Sequence, residues 1–77
     1  MKKLWYTKII KANGLIAYYG KRNTEVFPSK GIVDAEDSSV GYETEDGAEK
    51  NQRFIENFCR TMGILTTDIG SVTLCAE

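Results

Sequence analysis

The sequence predicts a small α+β domain: an antiparallel sheet in the order β-β-(β)-α-β, with an N-terminal Asn-Gly hairpin and one helix packed on one face. Three observations predict it. Asn13-Gly14 separates two stretches rich in aromatic and β-branched residues, and Asn-Gly is the strongest short-range hairpin signal because a type I′ turn needs two residues at positive φ. Apolar residues at helical spacing follow between positions 48 and 62. A last apolar run, Val72-Thr73-Leu74-Cys75, supplies a closing strand.

Taken in order, residues 4–12 and 15–22 form the hairpin arms. A two-residue loop pairs Trp5 with Arg22, Lys8 with Tyr19, Ile9 with Tyr18 and Lys11 with Ile16. Pro28 cannot donate to a ladder, so the chain leaves the sheet around residues 23–31, and Ile32-Val33 offers a short strand after it. Residues 34–39 read as an acidic loop, and Val40 with Tyr42 places a third strand at about 39–44. Asp46 followed by Glu49 fits a capping box, which starts a helix over 47–62. Its stripe is Ala48, Phe54, Ile55, Phe58, Cys59 and Met62, and Glu49–Arg53 and Glu56–Arg60 are spaced for ion pairs on the other face. Gly63 and Ile64 fit a Schellman ending. Asp68-Ile69-Gly70 reads as a turn.

With this hairpin register, one face carries Trp5, Ile9, Ile16 and Tyr18, and the other Leu4, Tyr6, Lys8, Ile10, Leu15 and Tyr19. Lys8 in mid-core would cost several kcal/mol, so the first face is placed against the helix, with Gly20 marking a close helix approach. The second face is then open to a partner. The competing reading folds residues 23–40, with Val26, Phe27, Ile32 and Val33, over it.

At 77 residues, residues 1–77 make one domain with a thin core. No apolar run reaches the ~20 residues of a membrane span, and no signal peptide is read at the start. These place the protein in the cytoplasm, away from membranes. Cys59 and Cys75 are too few for a disulfide framework and are expected as reduced thiols, with a bridge between them as the alternative. Histidine is absent, which removes the commonest general base and metal ligand. No phosphate-binding glycine loop or calcium-loop spacing occurs. The expectation is therefore a protein that is not an enzyme and needs no cofactor or metal.

Charge is segregated behind a net of −1. Residues 1–30 hold Lys2, Lys3, Lys8, Lys11, Lys21, Arg22 and Lys30 against Glu25 alone. Residues 31–77 hold Lys50, Arg53 and Arg60 against ten acids. A run of acids from Asp34 to Glu49 is a candidate surface for a basic partner. The hairpin interleaves Trp5, Tyr6, Tyr18 and Tyr19 with bases, a mixture that suits single-stranded nucleic acid. Its pleat sends those bases to both faces, however, and the rest of the chain repels phosphate. The favoured expectation is a small protein–protein interaction module, of the inhibitor or regulator kind found in phages and mobile elements, binding a protein partner or a second copy. Single-stranded nucleic-acid binding is the alternative. The candidate contacts are Tyr6, Lys8 and Tyr19 on the hairpin and Glu36, Asp37, Glu43 and Glu45 on the acidic side.

Overall fold

The computed structural model describes residues 2–77. Five strands form one sheet: β1 (Lys2–Lys11), β2 (Ile16–Tyr19), β3 (Glu25–Val26), β4 (Ile32–Val33) and β5 (Thr66–Ala76). Two helices complete the fold, a single turn α1 (Ala35–Ser38) and the long α2 (Glu45–Met62). The strand order is β3-β2-β1-β5-β4. All neighbours are antiparallel except β4 and β5, which run parallel. The α+β class with one packing helix stands, but the sheet is mixed and larger than the sequence suggested.

The hairpin turn differs from the expected one by a residue. Lys11 N–H donates to the Leu15 carbonyl at 2.8 Å, and Gly14 N–H to the Lys11 carbonyl at 2.9 Å. Ala12-Asn13-Gly14 is thus a three-residue loop, with only Gly14 at positive φ (88°). Thr7 now faces Tyr19, Lys8 faces Tyr18, and Ile9 faces Ala17. A one-residue shift sends every β2 side chain to the opposite face. Ile9 meets the helix as expected, but its companions are Thr7, Ala17 and Tyr19, not Ile16 and Tyr18.

Strand β1 lies at the centre, between β2 and β5, and is covered on both faces. That explains its missing polar alternation, since a strand buried on both sides reads as a near-continuous apolar run. On the helix side, Ile9, Ala17 and Tyr19 pack with Ile55 and Cys59 of α2. On the other side, Leu4, Tyr6, Val26, Val33, Leu74 and Ala76 form a second core, joined by Tyr18 and Val40. Each fully buried Ile or Val in these clusters contributes roughly 1.5–3 kcal/mol.

Residues 34–42 cross over this second core. Asp34 caps α1 by accepting from Asp37 N–H. Lys21 N–H donates to the Val40 carbonyl at 2.7 Å. A Cβ on Gly41 would meet the Tyr6 hydroxyl and the Leu4 Cβ within 2.8 Å, so glycine lets this segment lie on the sheet. What crowds Gly20 is Val40, while the helix touches it only through Asn51 Nδ2, which donates to its carbonyl. The strand expected at 39–44 is reduced to one bridge, Tyr42 with Trp5. That bridge carries the chain past the edge of β1 to the other face, where α2 begins.

Helix α2 starts two residues earlier than expected. Thr44 is its N-cap, accepting from Gly47 N–H, so Glu45 and Asp46 occupy the first turn and favour the positive end of the dipole. Its end follows the Schellman pattern: Gly63 has φ 73°, and Ile64 N–H donates to the Cys59 carbonyl at 2.8 Å. Asp68-Ile69-Gly70 is not a turn. It lies inside β5, which pairs with β1 along its length and has one irregularity opposite Ile10/Lys11.

Candidate functional site

Helix α2 has two different flanks, and its geometry shows which is which. Asn51 reaches toward Gly20 at the end of β2, and Gln52 Nε2 approaches the Ile69 carbonyl of β5 at 3.5 Å. At 3.6 residues per turn, the residues on the Asn51 side are Phe54 and Phe58, and those on the Gln52 side are Glu49 and Glu56. Phe54, Phe58 and Met62 follow one another every four residues along the β2-side flank. This stripe ends at the hairpin turn, where Ala12 N–H donates to the Leu65 carbonyl at 2.9 Å. Leu15, Phe54 and Met62 each leave at least half of their surface in water, while the exposed Leu65 lines the opposite flank with Glu56 and Arg60. The result is an apolar stripe along the β2-side flank of the helix, with Leu15 of the hairpin on the same face of the sheet.

The sequence reading took Phe54 and Met62 as core. The apolar set was too wide for one contact: the buried line runs Ala48, Asn51, Ile55, Cys59, and Phe54 sits about 100° away from Ile55. Met62 points sheetward but lies beyond the covered area. Asn51 is the residue the sequence could not rank, since a polar side chain in the buried line is recognisable only once its carbonyl partner is known. The ion pairs expected at Glu49–Arg53 and Glu56–Arg60 do not form. Among the described residues the ion pair is Lys2–Glu43, at 2.9 Å and exposed.

The predicted hairpin patch does not exist as a surface. Tyr6 is fully buried, and its hydroxyl donates to the Asp37 carbonyl at 3.1 Å. Burial, with the Asp37 and Asp34 carboxylates nearby, holds its phenol above the usual tyrosine range. Tyr19 is buried on the opposite face, under α2, where burial and then Glu25 raise its pKa as well. Lys8 is half-buried on the Tyr6 side, beyond the crossing segment, paired across the strands with Tyr18 and Gly70. Tyr6 and Tyr19 are therefore core residues, and the reading in which residues 23–40 fold over the face describes what happens.

The acidic residues separate into two groups. Glu36 and Asp37 join Glu25 and Asp34 in lining an open groove beside Phe27, whose ring is largely exposed. Glu43 is elsewhere, held by Lys2, whose hydrogen bond and charge keep its carboxyl below the usual range. Glu45 lies in the first turn of α2. Lys21 Nζ sits 5.8 Å from the centre of the Tyr42 ring, so some of the basic arm lies beside this acidic end.

Cys59 is buried and Cys75 half-buried, and they are not bridged. Burial pushes the Cys59 thiol up, away from the reactive thiolate. Among the described residues, no three Asp, Glu or Cys side chains converge as a metal site, and no helix is long and apolar enough to cross a membrane. No family model, curated protein or solved structure matches this chain.

Proposed function

We propose that this is a non-catalytic protein-binding module, acting as an inhibitor or regulator of its partner. The observation that carries the reading is the apolar stripe of Phe54, Phe58 and Met62 along the β2-side flank of α2, with Leu15 of the hairpin on the same face. Large apolar side chains gathered on one side of so small a domain mark an interaction site more often than a neutral surface. A contact centred on Phe54 and Met62 buries an aromatic anchor beside a flexible apolar side chain, the composition of an interface core. The fitting partner presents an apolar face. The alternative of stacking single-stranded nucleic acid is weakened, because Tyr6 and Tyr19 are in the core and Trp5 and Tyr18 lie on opposite faces.

The test is retention of a partner from source lysate by the full chain, compared with Phe54→Asp/Met62→Asp. Both side chains are mostly in water, so the variant keeps its fold by circular dichroism. A specific partner held by the parent chain and lost by the variant supports the reading. No retained protein, or equal retention by the two, removes it.

A further inference from the structure

Strand β5 is the longest in the sheet, and most of its outer edge is open. It spans 11 residues, yet β4 pairs only with Cys75 and Ala76. Cys75 N–H donates to Gly31 and Glu77 N–H to Val33, so odd-numbered residues direct their backbone groups to this edge. By the two-residue period, those of Ser71 and Thr73 point the same way, and among the described residues no strand meets them. The Ile69 carbonyl receives only the long contact from Gln52.

Edges of this kind are normally blunted by lysine, proline, bulges or shortness. The opposite edge follows that rule: β3 has two residues and runs into Phe27-Pro28. Strand β5 has no base and no proline, and its one acid, Asp68, sits at the irregular end. Its middle, Gly70 to Leu74, is uncharged.

Gly70 points to the occupant. The other glycines have a reason within the chain: positive φ at Gly14, Gly31 and Gly63, and crowding at Gly20, Gly41 and Gly47. Gly70 has neither, and a Cβ there would meet nothing within 4 Å. Glycine weakens a strand interior, and where it persists it often marks close approach of another backbone.

We propose that β5 pairs with β5 of a second copy, antiparallel about a two-fold axis at Gly70, joining two sheets into one. Ile69 of each copy then faces Ser71 of the other, so edge-directed groups meet edge-directed groups. The two Gly70 residues form a non-hydrogen-bonded pair, where Cα atoms approach to about 4.5 Å and a missing side chain brings the backbones together. Helix α2 lies over β1 and β5. With strands ~4.8 Å apart, the two α2 axes fall about 10 Å apart, a normal helix-packing distance. They run antiparallel, and the flanks that meet carry Glu49, Arg53, Glu56 and Arg60, which have no ion-pair partner among the described residues of their own chain. Arg53 of one copy is set against Glu49 of the other, twice over.

Sedimentation equilibrium on the full chain tests this. The parent chain is expected to be a dimer. Gly70→Lys has room within one chain but places two charges at the axis, and it should raise the dimer dissociation constant at least ~100-fold. Thermal unfolding monitored by circular dichroism confirms that the variant is folded. Arg53→Glu should weaken the dimer, and Glu49→Arg/Arg53→Glu should restore it. A parent chain that stays monomeric at high concentration overturns the proposal, as does a dimer indifferent to Gly70→Lys. Because Phe54 and Met62 lie on the β2-side flank of α2, away from this edge, loss of partner binding by Phe54→Asp/Met62→Asp leaves this outcome unchanged.

Discussion

The two faces of the sheet bury similar residues by different means. On one face a regular helix of 18 residues lies over Ile9, Ala17 and Tyr19. On the other, irregular chain with a single helical turn lies over Leu4, Tyr6 and Leu74. A helix satisfies its own backbone, so the first core needs little more than an apolar line and Asn51. Irregular chain must find partners for its polar groups elsewhere. It finds them in Lys21, the Tyr6 hydroxyl and the Asp34 cap. The second face is therefore held by specific contacts and close fits, and the first mainly by area.

The largest expected effect is on the helix side. Ile55→Ala empties a fully buried position and should cost about 3–4 kcal/mol in urea unfolding. Gly41→Ala tests the other face, forcing a methyl against Tyr6 and Leu4 at a cost of about 2 kcal/mol. If the faces are separate cores, the double variant costs the sum of the two, and a shortfall would show that they unfold through shared contacts.

Tyr6→Phe removes one hydrogen bond and leaves the Asp37 carbonyl without its donor, costing about 1 kcal/mol. The same tyrosine predicts alkaline behaviour. Its folded pKa is raised, so stability is full below the unfolded value of 10.0 and falls as pH rises above it, where only the unfolded chain ionises freely. Tyrosinate absorbance for Tyr6 and Tyr19 should appear together with unfolding. Early ionisation of Tyr6 in the folded chain would show the crossing segment to be open.

The smallest effect concerns Lys2–Glu43. The depressed Glu43 pKa means that its contribution is present above the unfolded value and lost as pH falls through the folded one. Both groups are exposed and salt screens them. Lys2→Ala should leave the melting temperature unchanged in physiological salt, and a clear drop would make this pair part of the loop-side closure.

The sequence by itself determined the hairpin, the helix and its Gly63 ending, and the apolar run that became β5. Local chemistry decides these: turn glycines, helical period and β-branched content act over a few neighbours. It did not determine which residues face outward. One extra residue in the Ala12-Asn13-Gly14 loop reversed the faces of β2, because a period of two turns a single-residue error into an inversion. Nor could it assign Phe54 and Met62 to the surface or Tyr6 and Tyr19 to the core. Those outcomes depend on where residues 34–42 cross the sheet, on the parallel β4 contact and on the area α2 covers. All three are contacts between distant parts of the chain. The charge pattern was legible as a sequence fact, but only tertiary structure separated Glu36 and Asp37 from Glu43 and Glu45. Only the strand order exposed the edge of β5, since an edge is defined by the neighbour a strand lacks.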